Sequence, residues 1–340
     1  MKTMLDVAHH AGVSKATVSR VLNGTGQVKA STRETVFKAM NELGYRPNFL
    51  ARSLAHRSAN SIGLVVSHFD GPYFGRLLRR AAELTESSGK HLIVTDGHDT
   101  PEDERQSVEL LADRRCDAII LYTRHMSEQE LMTLLAESSV PIVVINRDLP
   151  QRRDRSVVFE QQSAAFRVVD YLITQGHREI ACITGPMTTP TSQARLSGYE
   201  AALQHHGLGV DPRRIVHGDS SVESGYLAAH ALLARGVVFS ALFSSNDDMC
   251  IGAMKAFSEA GKTLPEDLSL FGFDDEPNAA FLNPSLSTVY LPIEEMMGTA
   301  IQQALRLISG EEAAPLTPFT GVLKIRDSVR PGPYATAAHP

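Results

Sequence analysis

The amino-terminal stretch shows two short helical patterns of apolar residues separated by a glycine. The apolar positions that share one face of the first pattern are Leu5, Ala8 and Ala11. Thr3 and Asp6 have the spacing of a capping box at its start, and Gly12 can end it in the left-handed conformation. Ser14 can cap the second pattern, whose apolar face consists of Val18, Val21 and Leu22. This order predicts a helix-turn-helix unit, in which the second helix reads the major groove of DNA.

A third helix is predicted to complete a small domain. Ser31 and Glu34 have the spacing of a second capping box, and Gly44 is placed to end the helix. The apolar residues on its inner face are Val36, Met40 and Leu43. None of the three helices is long enough to be stable alone, so they must share one core. Residues 1–46 are therefore predicted to form a helix-turn-helix domain.

The next segment carries a helix breaker followed by a short helical pattern. Pro47 ends the preceding helix, and Asn48 can cap a helix of about two turns. Because an isolated helix needs roughly 12–15 residues, this one is expected to fold only when something holds it. We predict a hinge or linker over residues 47–58.

From Ser61 onward, short apolar runs alternate with helical patterns. Strands are predicted at 61–68, 91–95, 117–122, 141–146, 156–159, 179–184, 240–245 and 268–273. Helices are predicted at 74–88, 102–114, 128–137, 162–175, 192–206, 223–234 and 248–260. This alternation favours parallel sheets with helices on both faces, and two doubly wound lobes fit the length better than one large sheet.

The two lobes are predicted to divide near residue 160, within a core that spans residues 59–330. A last helix at 293–309 and a last strand near 319–329 should return to the two lobes in turn. The predicted segments are 60–158 and 291–318 for the N-lobe, 159–290 and 319–330 for the C-lobe, and 331–340 for a flexible tail.

The distribution of charge changes the picture given by the totals. The 340 residues carry a net charge of −6, which by itself argues against binding to nucleic acid. Residues 1–60, however, hold nine Lys or Arg against three acidic residues, a net of +6, which leaves −12 for the other 280 residues. A basic head on an acidic body is the asymmetry expected when only the head contacts phosphates.

The sequence lacks the usual signatures of a membrane-spanning, secreted or catalytic protein. No run of about 18 apolar residues and no apolar signal segment is present, which favours the cytoplasm. The cysteines lie far apart in apolar runs and are predicted to be buried free thiols: Cys116, Cys182 and Cys250. No H-E-x-x-H, C-x-x-C, G-x-S-x-G or P-loop motif occurs, so neither an enzyme nor a metal or cofactor site is predicted.

The sequence of the predicted helix-turn-helix resembles that of one family. Residues 6–24 read DVA-x-x-AGVS-x-x-TVSRVLNG, which resembles the LacI/GalR family of bacterial transcription regulators. The spacing of the apolar residues and the glycine, taken without this sequence motif, would fit an ordinary helical hairpin equally well. The resemblance covers nearly the whole chain. It implies an N-terminal all-α helix-turn-helix headpiece and an α/β core of two doubly wound lobes, like that of periplasmic sugar-binding proteins.

The resemblance also implies which residues contact DNA. In the recognition helix, Lys15 can donate to guanine and Ala16 can touch a thymine methyl group, while Arg20 contacts a base or a phosphate. Leu54 matches a leucine that wedges into the minor groove when two hinge segments lie side by side on the operator. The full set of predicted DNA contacts is Thr3, Lys15, Ala16, Thr17, Ser19, Arg20, Asn23, Asn48, Ala51, Arg52 and Leu54.

Polar residues at the ends of the predicted strands are candidate ligand contacts. In open α/β sheets ligands bind beyond the carboxyl ends of the strands, and carboxylates, arginines and aromatic rings placed there suit a polyhydroxylated ligand. From these loops the resemblance selects an effector-binding set of Tyr73, Phe74, Arg147, Arg195, Ser220, Asn246 and Asp274. The position of a stacking tryptophan in a family relative falls near Ser220, which leaves the exact sugar open. Asp247 and Asp275 are predicted to be structural turns or helix caps.

The function predicted from these features is a transcriptional repressor controlled by a small sugar. As a homodimer it would place two recognition helices on a palindromic double-stranded operator. The stretches GVSKATVSRVL, GYRPN-x-LAR and SNDDM-x-IGAMKA most resemble regulators of β-glucoside utilisation, and a galactoside or another sugar is the alternative. The last residues contain no leucine heptads, so a dimer is expected rather than a tetramer.

Two other classes of protein make different predictions. A sugar-binding protein for transport would need a secretory segment and no basic head. An α/β enzyme acting on sugars would need opposed catalytic carboxylates or a cofactor loop. Within the favoured class, the sequence leaves open whether the sugar induces or co-represses, and whether the regulator also activates.

Overall fold

The computed structural model describes residues 2–23, 26–45, 59–69 and 71–335. The chain divides into two compact units at the junction of Asn60 and Ser61. The hinge predicted over residues 47–58 lies outside the described residues. The exact domain boundaries therefore stay a prediction.

Among its described residues, the amino-terminal unit contains three helices, as predicted: Met4–Ala11 (α1), Lys15–Asn23 (α2) and Ala30–Leu43 (α3). Thr3 and Asp6 form the predicted capping box, and Gly12 ends α1 with a φ of 65°. The Ser14 hydroxyl oxygen accepts from the Thr17 backbone N–H at 3.0 Å, which caps α2. The buried apolar core consists of Val7, Ala8, Val18, Val21, Val36, Ala39 and Met40.

Two local predictions in this unit are wrong. Leu5 is 53% exposed, because the buried face of α1 is formed by Val7 and Ala8 instead. The capping box predicted at Ser31 does not form: α3 begins at Ala30, and no side chain caps it. Ser31 already lies inside the first helical turn, so its hydroxyl cannot act as an N-cap.

The second unit begins with a five-stranded parallel sheet. Its strands are Ser61–Val66 (β1), His91–Asp96 (β2), Ala118–Tyr122 (β3), Ile142–Ile145 (β4) and Ser156–Val157 (β5). They are ordered β2–β1–β3–β4–β5. The accompanying helices are Gly71–Ser87 (α4), Pro101–Asp113 (α5) and Glu128–Glu137 (α6). Leu64 and Val65 belong to different core clusters, so both faces of the sheet are covered, as predicted.

A second parallel sheet follows, with four strands. These are Ile180–Thr184 (β6), Ile215–His217 (β7), Ala241–Ser244 (β8) and Ser269–Phe271 (β9), in the order β7–β6–β8–β9. Its helices are Gln161–Thr174 (α7), Pro190–His205 (α8), Val222–Ala234 (α9) and Asp247–Glu259 (α10). Helices α7 and α8 pack together, as do α9 and α10. Two parallel sheets in one unit confirm the predicted fold class of the core.

The last elements return to the earlier ones. Helix Ile293–Ser309 (α11) packs on α4, β3 and β4 of the first sheet, as predicted. Strand Val322–Lys324 (β11) pairs antiparallel with Thr288–Tyr290 (β10). The sequence patterns missed β7 and β10, because three residues are too few to show an alternation of apolar and polar positions.

The segment predicted to begin a flexible tail at residue 331 is instead tied to the core up to residue 335. The Gly332 N–H donates to the Gln175 carbonyl at 2.7 Å, and the Tyr334 N–H donates to the Gly176 carbonyl at 2.9 Å. The Arg178 guanidinium also lies 5.2 Å from the centroid of the Tyr334 ring. The sequence shows no sign of these contacts because their partners lie far away in sequence, and residues 336–340 of the predicted tail lie outside the described residues.

The three cysteines are buried free thiols, as predicted. Burial raises the pKa of the thiols of Cys116, Cys182 and Cys250, which keeps them protonated and unreactive.

Among the described residues, no helix is both long and apolar enough to cross a membrane.

Candidate functional site

A cavity of about 390 Å³ lies beyond the carboxyl ends of both parallel sheets. Loops that follow strands of each sheet line it, which is the position that the topology of open α/β sheets favours for a ligand. Six of the seven predicted effector residues line this cavity: Tyr73, Phe74, Arg195, Ser220, Asn246 and Asp274. The tertiary structure thus brings together side chains that are spread over some 200 residues of sequence.

Arg195 is the most highly connected side chain of the cavity. It lies on α8 and is only 7% exposed. Its Nε donates to Gln161 Oε1 at 2.8 Å, its Nη2 donates to Asp274 Oδ1 at 3.1 Å, and its Nη1 donates to the Ser245 carbonyl. The guanidinium carbon lies 3.7 Å from the centroid of the Phe273 ring. These contacts fix the plane of the guanidinium while two of its five N–H groups remain for a ligand.

Asp274 supplies a carboxylate at the same point. Burial raises the pKa of this carboxyl group, and the adjacent Arg195 acts in the opposite direction and favours the charged form. Its backbone has a φ of 106°, and Ser220 and Asn146, which also line the cavity, have φ values of 80° and 69°. Left-handed backbone at non-glycine residues is uncommon and concentrates at functional sites.

Aromatic rings form another part of the wall. The Tyr73 and Tyr122 hydroxyl groups lie 3.1 Å apart, and the Phe74 ring packs edge-on against Tyr122 with centroids 5.3 Å apart. His68 packs edge-on against Phe74 in turn. Such rings can cover the apolar face of a pyranose while the hydroxyl groups bind its edge.

Asn246 and Asp247 have different roles in one turn. Asn246 caps α10 through Oδ1, and its Nδ2 donates to the Ser220 carbonyl at 2.8 Å, which joins two loops of the cavity. Asp247 is fully buried and accepts from the Glu276 backbone N–H at 2.8 Å and from the Thr288 hydroxyl at 2.7 Å. Asp247 is therefore structural, as predicted.

Asp275 is also structural, as predicted. One of its carboxylate oxygens accepts from Arg326 Nη2 at 2.6 Å, which ties the end of β9 to the segment that follows β11. It does not line the cavity, although Asp274 and Glu276 on either side of it do.

Arg147 is the predicted effector residue that does not line the cavity. Its side chain is 8% exposed, and its Nη2 donates to the Arg124 carbonyl at 3.3 Å. Burial lowers the pKa of its guanidinium. The neighbouring Asn146 lines the cavity instead, and its Nδ2 donates to Thr191 Oγ1 at 3.2 Å. Asn146 follows β4 in a left-handed conformation, with a φ of 69°, and this turn of the backbone directs the next side chain, that of Arg147, toward the Arg124 carbonyl.

Several cavity residues were not among the predicted contacts. They include His68, Tyr122, Arg124, Asn146, Thr191, Asp219, Asp248 and Glu276. His68 and Arg124 contact each other, with Nε2 and Nη1 2.7 Å apart. The signal that could have found most of them is their position in the loops that follow predicted strands.

The predicted DNA-contacting residues of the first unit lie mainly on the surface of α2. Lys15, Ala16 and Arg20 are exposed, while Thr17 and Ser19 are partly buried. The hydroxyl of Thr3 is engaged in the capping box of α1. The Asn23 side chain and the hinge residues Asn48, Ala51, Arg52 and Leu54 lie outside the described residues. Lys15, Ala16 and Arg20 therefore have the exposure that contact with a groove of DNA requires.

Comparisons with known proteins agree with both units. Residues 3–48 match the family described as bacterial regulatory proteins, lacI family, and residues 169–329 match the periplasmic binding protein-like domain. The chain is 45% identical to the HTH-type transcriptional regulator AscG of Escherichia coli (strain K12) over 331 residues. That alignment covers 97% of this chain and 98% of AscG.

Two solved structures resemble the chain over almost its full length. The lac repressor dimer bound to operator and the anti-inducer ONPF superposes with a TM-score of 0.87 at 27% identity, covering 97% of this chain and 99% of that one. A complex of the transcriptional regulator CelR with cellobiose superposes with a TM-score of 0.72 at 30% identity, covering 97% and 100% respectively.

Proposed function

Since the chain belongs to the lacI family of bacterial regulatory proteins, we propose that the sugar controlling it is a β-glucoside. The protein is a sugar-responsive DNA-binding transcriptional repressor and not an enzyme. We further propose that it acts as a homodimer on a palindromic operator, with Lys15 and Ala16 reading base edges. A regulator of bacterial DNA works where the chromosome is, so we assign it to the cytoplasm.

The observation that supports a sugar ligand best is the Arg195–Asp274 pair in a cavity that also holds Tyr73, Phe74 and Tyr122. A guanidinium and a carboxylate can together donate to and accept from neighbouring hydroxyl groups, while the rings cover apolar ring faces. The relative in complex with cellobiose, which is a β-glucoside, supports the choice of sugar. The relative described as a dimer on operator DNA supports the mode of binding.

The proposed function is tested by fluorescence anisotropy with the full-length protein. The DNA is a labelled fragment from upstream of its own gene, at fixed salt, and the sugars are cellobiose, salicin, arbutin and a set of galactosides. We expect specific binding that a β-glucoside releases, and sedimentation of the same preparation should give a dimer. Release by galactosides alone would overturn the choice of sugar, and absence of specific binding would overturn the proposed operator site.

Leu54→Gly is expected to weaken operator binding about 100-fold while leaving binding to random DNA nearly unchanged. The resemblance places this leucine in the minor groove of the operator, and glycine removes both the side chain and helix propensity. The measurement is anisotropy on operator and random fragments. Ala55→Gly is the matched control, because it would weaken the same predicted helix and keeps the leucine. Equal losses in the two variants would mean that the leucine side chain has no special role.

A further inference from the structure

Glu276 is a buried acid of the cavity wall with one carboxylate oxygen to which no described group donates a hydrogen bond. It follows β9 by five residues, lines the cavity and is only 5% exposed. Within the part of the chain that the structure describes, its Oε2 has no hydrogen-bond partner. Its Oε1 lies 3.8 Å from Arg76 Nη2, which is too far for a hydrogen bond. A buried carboxylate oxygen without a partner is costly, and such atoms commonly mark a place where a ligand or water binds.

The hydrogen bonds that hold the segment around Glu276 use its backbone and not its side chain. The backbone N–H donates to Asp247 Oδ2 at 2.8 Å, and the backbone carbonyl accepts from the Ala279 N–H at 2.9 Å. Glu276 precedes the short helix Pro277–Phe281 as its N-cap, yet its side chain makes no capping hydrogen bond. The backbone hydrogen bonds of this segment therefore do not require a carboxyl group, and the Arg76 guanidinium, 3.8 Å away, is the described group of opposite charge beside it.

We infer that Glu276 is a further effector-binding residue, whose carboxylate accepts a hydrogen bond from a hydroxyl group of an uncharged sugar and disfavours the phosphorylated form of that sugar. This inference rests on the proposed function, in which the cavity binds the controlling sugar. It adds Glu276 to the predicted effector-binding residues, and it limits the ligand to uncharged sugars.

The charges around the cavity explain the exclusion of phosphate. The carboxyl groups that line it belong to Asp219, Asp248, Asp274 and Glu276, and the arginines to Arg124 and Arg195. Arg195 and Asp274 bond to each other, so their charges largely compensate, which leaves Asp219, Asp248 and Glu276 against Arg124 among the lining residues. A phosphate of about two negative charges would approach more carboxylates than free cations, which costs affinity. Sugar hydroxyl groups instead donate to carboxylates.

The titration of Glu276 gives the inference a second readout. Burial and the neighbouring Asp274 raise the pKa of its carboxyl group to about 7, and Arg76 acts in the opposite direction. The other charged groups that face it are Asp247, Asp248 and Asp275. A hydroxyl donor binds the ionised form better, so the sugar should lower this pKa on binding. Affinity should therefore rise as the pH increases from about 6 to about 8, by up to about tenfold.

The test compares Glu276→Gln with the wild-type protein and with Glu266→Gln, the same change at an exposed position away from the cavity. Calorimetry measures the Kd for cellobiose and for cellobiose 6′-phosphate at about pH 6, 7 and 8. If cellobiose does not bind, the measurement uses another pair of ligands. This pair is the free sugar that releases the protein from the operator and the phosphorylated form of that sugar. We expect E276Q to raise the Kd for the free sugar about tenfold, to flatten its pH dependence and to reduce discrimination against the phosphate.

Each other outcome overturns the inference in a recognisable way. If E276Q binds the free sugar as tightly as E266Q and keeps the pH dependence, Glu276 is not a contact, while the proposed function stands. If the wild-type protein prefers the phosphorylated sugar, the ligand class is wrong and the regulator remains sugar-responsive. If no sugar of the panel binds in either form, the proposed function fails together with the inference.

Discussion

Arg195→Ala is expected to lower the affinity for the controlling sugar by at least about 100-fold and to abolish its effect on operator binding. The variant loses the two guanidinium N–H groups without a partner in the described residues and also the bond that orients Asp274. Operator binding without sugar should persist, because the predicted recognition helix belongs to the separate amino-terminal unit. Calorimetry with the sugar and anisotropy on the operator measure the two effects.

A loss of stability could imitate this result, so a second variant is needed. Removing Arg195 leaves the carboxylate of Asp274 buried without its partner, and breaking one side of a buried pair costs about 3–5 kcal/mol. The double variant Arg195→Ala, Asp274→Asn removes the stranded charge. We expect it to regain much of the free energy of unfolding and still to bind no sugar. If the sugar released Arg195→Ala from the operator at the concentrations that release the wild-type protein, Arg195 would not be an effector-binding residue.

Gly252→Ala is expected to lower the free energy of unfolding by about 3 kcal/mol or more, although alanine favours helices. Gly252 lies in α10, where that helix crosses α9. A Cβ atom there would overlap the Val222 carbonyl oxygen and lie 2.6 Å from the Tyr226 backbone nitrogen. Both obstacles are backbone atoms of α9, so no side-chain rotation relieves the clash and the helices must move apart. Urea denaturation followed by circular dichroism measures the change.

Gly298→Ala is the matched control for this effect. It is the same substitution inside a helix, α11, where the nearest atom to a new Cβ would be Leu84 Cδ1 at an ordinary 3.7 Å. We expect it to leave stability unchanged or to raise it by up to about 1 kcal/mol, through helix propensity. If both variants proved equally stable, α9 and α10 would accommodate a Cβ atom at residue 252, and their close contact would not require glycine there.

Some features of the molecule are determined locally, and the sequence by itself was enough to predict them. The capping box of Thr3 and Asp6 and the left-handed Gly12 involve residues only a few positions apart, so their chemistry is complete within α1. Buried parallel strands such as Ser61–Val66 are continuous apolar runs, which distinguishes them from their helices. Because ligands of open α/β sheets bind beyond the carboxyl ends of the strands, the predicted strands also indicated which loops line the cavity.

The tertiary structure alone decided which side chains of those loops reach the cavity. Asn146 faces it and Arg147 does not, because the direction of each side chain depends on how the chain leaves its strand. Glu276 counts as a candidate contact only once Asp274, Arg76 and the cavity surround it. The same holds for the Tyr334 segment and the three-residue strand Thr288–Tyr290. Their stabilising partners are distant in sequence, and a local pattern cannot encode a partner that only folding brings near.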